Sequence, residues 1–129
     1  MVAKRFDNEL VTTIVGEETH FKGSIESQRS VRIEGTFEGD INCQGEVHVG
    51  EKSRVKATIV AKRVVIAGEV IGNVEAVGGM HITKTGRVYG DISGDQLMIE
   101  EGAIYKGKVN MDIISSKNAY EGKLQLVKN

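Results

Sequence analysis

The stretch Val31-Arg-Ile33-Glu-Gly35-Thr-Phe37-Glu-Gly39-Asp-Ile41 alternates apolar and polar residues at period two. That is the spacing of a β-strand, whose successive side chains point to opposite faces. Its second half has the form apolar, any, Gly or Ala, any, aliphatic, and it recurs along the chain. The copies are Phe21-Lys-Gly23-Ser-Ile25, Phe37-Glu-Gly39-Asp-Ile41, Val55-Lys-Ala57-Thr-Ile59, Val70-Ile-Gly72-Asn-Val74, Val88-Tyr-Gly90-Asp-Ile92 and Tyr105-Lys-Gly107-Lys-Val109. Their last residues lie 16, 18, 15, 18 and 17 positions apart, a mean close to 17. The first half recurs as Val31/Ile33, Val47/Val49, Val64/Ile66, Met80/Ile82 and Leu97/Ile99, with Thr13/Val15 as a weaker first copy. From each pair to the next motif the step is four or six residues, always even, so the inward phase is kept. A third column of mostly small residues follows: Ser27, Cys43, Ala61, Ala76, Gly94 and Met111.

Strand-like segments that recur every coil with Val over Val and Ile over Ile specify an all-β fold. The economical form is a parallel β-helix (solenoid), one coil per repeat, stacked at about 4.8 Å with its apolar columns inward. The reading gives about six coils. Residues 1–11 match no column and read as an N-terminal tail, and 12–111 form the β-helix domain. Residues 112–129 read either as a degenerate last coil or as a C-terminal tail. For the coil reading, Ile114, Tyr120, Gly122, Leu124 and Leu126 supply a register with a step of 15 from Val109 to Leu124.

Composition agrees. The chain has 129 residues, 16 glycines, no proline and one cysteine. Glycine in the repeated motif, as at Gly39, is expected to point inward and make room for facing side chains. Glycine between the two motifs, as at Gly35, is expected to turn the corner with positive φ. Proline would delete a ladder donor, and none is present. One cysteine excludes a disulfide framework and fits a reduced, intracellular setting. Lys+Arg is 17 against 18 for Asp+Glu, which argues against a nucleic-acid binder.

Chemistry-bearing residues find bland explanations in this register. His48 and His81 share an outward column but sit two coils apart with Val65 between them, too far for one metal. The segment from Gly102 to Val109 imitates a phosphate-binding loop, but Val109 stands where the hydroxyl is needed and the segment reads as strand. Cys43 reads as a small buried hydrophobe. No catalytic, metal or cofactor residue is assigned. An enzyme on a solenoid scaffold, such as an acyltransferase, is the less favoured alternative, because short corners leave no material for a cleft. Another is an adaptor docking a partner on its lateral face, where Ile14, Val65 and Met98 share a column.

A solenoid has two ends with unpaired backbone edges and an exposed core section, and no capping helix is legible at either. The chain is therefore expected to polymerise with itself, end to end. Val15, Phe21 and Ile25 are the expected contacts at one end. Tyr105 and Val109 are expected at the other, or Tyr120 and Leu124 if a last coil forms.

The runs T-I-V-G-E-E-T-H-F-K-G-S-I, V-R-I-E-G-T-F-E-G-D-I and L-M-I-E-E-G-A-I-Y-K-G-K-V resemble the bactofilins, over roughly Thr13 to Met111. The resemblance implies a right-handed triangular β-helix and nucleotide-independent, apolar filaments. It also implies a cytoplasmic protein, often at the inner face of the cytoplasmic membrane. As partners it implies peptidoglycan-modifying enzymes, which such filaments position to control cell shape. The start, with Met1, Val2, Lys4, Arg5 and Phe6, is similar to the family's short membrane-binding tails.

Overall fold

The structure, a computed structural model, describes residues 13–115 and 125–128. Every described element is a strand, and every pairing among them is parallel. The first coil holds β1 (Thr13–Val15) and β2 (His20–Ser27), and the second holds β3 (Val31–Ile33) and β4 (Thr36–Cys43). Then come β5 (Glu46–Val49), the long β6 (Arg54–Ile66), β7 (Glu69–Ile71), β8 (Val74–Ile82), β9 (Arg87–Tyr89), β10 (Ile92–Ile99), β11 (Ile104–Ser115) and β12 (Gln125–Lys128).

The ladder divides each coil among three stacks, the three sides of a triangular solenoid. On the first, Val31, Val47, Val64, Met80 and Leu97 stand above one another. On the second, the column is Phe21, Phe37, Val55, Val70, Val88 and Tyr105. On the third, it is Ile25, Ile41, Ile59, Val74, Ile92 and Val109. These are the columns read from the sequence, and from the second coil to the sixth they are fully buried. Burial of that continuous aliphatic core supplies the driving force, roughly 1.5–3 kcal/mol per fully buried aliphatic side chain.

The uneven coil lengths have a local cause. Where the step between motifs is six, a tight turn fills the corner, with Thr19 N–H on Gly16 O (3.0 Å), Ser53 N–H on Gly50 O (3.1 Å), Gly86 N–H on Thr83 O (2.8 Å) and Ala103 N–H on Glu100 O (3.1 Å). Where it is four, the corner passes directly against its neighbour, as when Thr36 N–H bonds Thr19 O at 2.9 Å. The inserted turn adds two residues, so every side chain beyond it keeps its face. Ser53, the one buried polar residue among those described, donates its hydroxyl to Gly50 O within such a turn.

Three expectations are corrected. First, positive φ falls on the described motif glycines, and among the corner glycines between the two motifs only on Gly102 (φ +103°). Gly39 has φ +137° and is exposed, and it turns the corner between the second and third stacks. A Cβ there would overlap the Gly23 carbonyl one coil below, not a facing core side chain. Gly35 is buried and needs no positive φ; a Cβ there would strike the Gly16 and Thr19 carbonyls. Second, Leu97 is followed in its column by Ile113, which leaves Ile114 in register with Met98. Register shifts beside Gly94 account for the difference. Third, β12 pairs Val109 with Lys128 and Gly107 with Leu126, a step of 19 rather than 15. Tyr120, Gly122 and Leu124 lie outside the described residues.

Candidate polymer interfaces at the solenoid ends

The first coil differs from the rest in burial. In the second stack Phe21 is 36% exposed, whereas Phe37 directly above it is 0% exposed. The two rings lie face to face, with centroids 5.2 Å apart and planes 6° from parallel. Phe21 therefore has a ring on one side and, among the described residues, none on the other. Ile25 and Val15 are 9% and 5% exposed, against 1% for Ile41 and 0% for Ile33. Among the described residues, β1 and β2 pair only with β3 and β4, so each presents one free ladder edge. An apolar section rimmed by unpaired N–H and C=O groups is the surface onto which another strand layer adds.

At the other end the geometry moves the surface outward. Tyr105 and Val109 are 1% and 0% exposed, and β12 lies alongside β11 over Lys106–Val109. Both are core residues of the sixth coil; Val109 pairs onward with Lys128, whereas Tyr105, paired with Val88, has no further ladder partner among the described residues. The Tyr105 hydroxyl faces two acceptors, Gly90 O at 2.9 Å and Lys108 O. Burial first, and then the neighbouring Asp91 charge, push its phenol well above the ordinary tyrosine range. The hydroxyl therefore stays protonated and ties the sixth coil to the fifth. Met1, Val2, Lys4, Arg5 and Phe6 lie outside the described residues, as do Tyr120 and Leu124.

Among the remaining candidates, His81, His20 and Cys43 have local partners, whereas the buried His48 Nδ1 has none among the described residues. His81 Nε2 meets Glu100 Oε2 at 2.8 Å, and the other oxygen of Glu100 accepts Lys84 N–H at 3.1 Å. His20 Nε2 lies 3.5 Å from Glu38. His48 stands between Arg32 and Val65 in the ladder, and His81 follows Val65. Among the described residues no group of three His, Cys, Asp or Glu side chains converges as a metal site would need. The Cys43 thiol is buried, and its sulfur donates to Arg29 O at 2.7 Å. Burial raises its pKa, so it is neutral and unreactive at neutral pH. Gly102 to Val109 is corner and strand, and the chain continues as strand β11 to Ser115, not as the helix a phosphate site needs there. Ile14, Val65 and Met98 share one outward column, but Arg32, His48 and His81 interrupt it. It is not a continuous apolar stripe.

Sequence reasoning missed one ladder. The Asn73 carboxamide oxygen accepts Asp91 N–H at 3.4 Å, and Asp91 Oδ1 accepts Lys108 N–H at 3.2 Å. The Asp91 carboxylate thus caps a backbone donor at the glycine corner. The recurring Asn or Asp just after the motif glycine is the signal that could have found it.

Comparison with known proteins bears on the same residues. The family described as "Bactofilin: Polymer-forming cytoskeletal" matches residues 13–110. Bactofilin BacO of Myxococcus xanthus (strain DK1622) is 33% identical over 104 residues, covering 81% of this chain and 82% of that protein. Bactofilin BacP of the same organism is 29% identical over 99 residues, 77% of this chain but only 41% of that protein. No solved structure matches the chain.

Proposed function

The chain belongs to the bactofilin family of polymer-forming cytoskeletal proteins, and we propose that it assembles with itself end to end, through its terminal coils, into nucleotide-independent filaments. The observation that carries the reading is the burial step at the first coil, where Phe21 is 36% exposed and Phe37 is not exposed at all. A second first coil docked there would complete the ladder and the core together. The role is structural, with no catalytic step. Contact of like with like at each junction gives an isologous interface and an apolar filament.

The filament serves as a cytoplasmic scaffold for cell shape, on which peptidoglycan-modifying enzymes are positioned. Met1, Val2, Lys4, Arg5 and Phe6 tether it to inner-membrane lipid. Each tail is weak alone, and a filament multiplies it by avidity. No described helix is long and apolar enough to cross a membrane. Sedimentation and electron microscopy in nucleotide-free buffer test the reading. Filaments are expected, and a chain that stays monomeric at every concentration would refute it.

A further inference from the structure

The chain is nearly neutral overall, but its charges are not evenly spread over the solenoid. The outward columns of the second stack carry Lys22, Arg54, Lys56, Arg87 and Lys106, all exposed. The two carboxylates on that side, Glu38 and Glu69, are half-buried and already engaged. Glu38 lies beside His20, and Glu69 is held between Arg54 at 3.2 Å and Arg87 at 4.0 Å. Around the glycine corner the sign reverses. The two outward columns of the third stack carry Glu26, Asp40, Glu75 and Asp91, all exposed, against one cation, Lys108.

The two sides also differ in shape. The acidic side holds a groove of about 430 Å³, lined among others by Thr58, Asn73, Glu75, Asp91, Ser93 and Asn110. The basic side exposes Ile71 and Ile104. Ile71 pairs with Tyr89 in one outward column, and Ile104 stands above Arg87 in the other. Lys56 pairs with Ile71, and Lys106 with Tyr89. The groove spans the third to the sixth coil and these apolar residues the fourth to the sixth, so the two overlap along the solenoid axis.

We propose that the basic side of one copy docks against the acidic side of a second copy lying next to it, so that filaments associate laterally. The occupant is argued from charge complementarity between two faces of the same chain, and from the overlap in height of the groove with the exposed Ile71 and Ile104. The contact is heterologous, so it is not limited to a pair. Exposed ion pairs are individually weak, and repetition along a filament makes the contact effective. The proposal therefore rests on end-to-end assembly.

The test is electron microscopy of the full chain, with filament length reporting end contacts and bundle width reporting lateral ones. Among the described residues, the side chains of Lys56, Lys106, Asp40 and Glu75 make no hydrogen bond or ion pair to lose on reversal. Wild type should form bundles at low salt that disperse to single filaments at about 0.5 M salt, where the Debye length is roughly 4 Å. The pair Lys56→Glu with Lys106→Glu should give single filaments of unchanged length, and so should Asp40→Lys with Glu75→Lys. All four changes together should restore bundles. Bundles that survive either pair, single filaments in the quadruple variant, or wild-type filaments that are single at low salt would overturn the proposal. So would wild-type binding to phosphatidylglycerol vesicles that Lys56→Glu with Lys106→Glu abolishes while bundling persists, since the basic side would then serve lipid. Loss of width with length retained in the wild type fails this proposal alone, whereas a wild type without any filaments fails the end-to-end reading as well.

Discussion

Replacing Phe21 by alanine isolates the end contact. Phe21 is 36% exposed in the free chain. Of a phenylalanine surface of roughly 200 Å², about 70 Å² therefore remains for a docking coil to cover. At ~25 cal/mol per Å² that is about 2 kcal/mol for each Phe21. A head-to-head junction contains two of them, so the variant loses about 3.5 kcal/mol there, roughly three-hundredfold in association. In an apolar filament the opposite junction is untouched, so the expected product is a dimer held by its other ends. Folding is also affected, because the ring stacks on Phe37. A cost of about 2–3 kcal/mol is expected for a ring partly buried, and circular dichroism must show the variant still folded. Val77→Ala is the control: Val77 is 60% exposed but lies on β8, away from both ends. Analytical ultracentrifugation over a concentration series reads the outcome. If folded Phe21→Ala polymerises at the wild-type concentration, or if Val77→Ala raises that concentration equally, the first coil is not the junction.

Gly39→Ala should lower the urea midpoint by the equivalent of at least ~1–3 kcal/mol, since φ is +137° and the added Cβ overlaps the Gly23 carbonyl. Gly16→Ala, whose nearest neighbour would be Thr19 Oγ1 at 3.6 Å, should stay within about 0.5 kcal/mol. Tyr105→Phe should cost about 1 kcal/mol, because Gly90 O and Lys108 O lose their donor. The Tyr105 phenol titrates higher folded than unfolded, so its stabilising effect is complete below about pH 10 and is lost as pH rises beyond. The urea midpoint of the wild type should fall across that range more steeply than that of Tyr105→Phe. Deleting residues 1–11 should abolish co-sedimentation with anionic vesicles while leaving polymerisation intact; a truncated chain that still pellets with vesicles refutes the tether.

The columns were legible because a parallel solenoid repeats its pairing in sequence. Once Ile25, Ile41 and Ile59 are aligned, every other pair in those coils follows from period two. What the alternation could not distinguish is whether a glycine in phase with the core points into it. Gly39 falls on an inward parity, yet its φ of +137° bends the chain there, and the corner between two sides appears where an inward position was expected. Register was lost wherever the even spacing broke. Beside Gly94 a shift exchanges the roles of Ile113 and Ile114. After Val109 the pairing with Lys128 spans 19 residues, and too few apolar residues remained to exclude a step of 15. At the first coil, Phe21 was visible as an end residue because no further copy precedes it. At the opposite end β12, which pairs with Lys106–Val109, carries only four residues and no full motif, so the repeat did not reveal it. The charge asymmetry between the two sides depends on which outward residues share a face, which follows only after the glycine corner is placed.

The central claim, that subunits stack end to end with one continuous ladder, is tested most directly by fibre diffraction or cryo-electron microscopy of filaments grown without nucleotide. Six to seven coils at ~4.8 Å give an axial length of about 29–34 Å per subunit. The account predicts a meridional 4.8 Å reflection, with an axial repeat of two subunits, about 58–68 Å, if junctions alternate head to head and tail to tail. A 4.8 Å reflection away from the meridian would place the solenoid axis across the filament and contradict it.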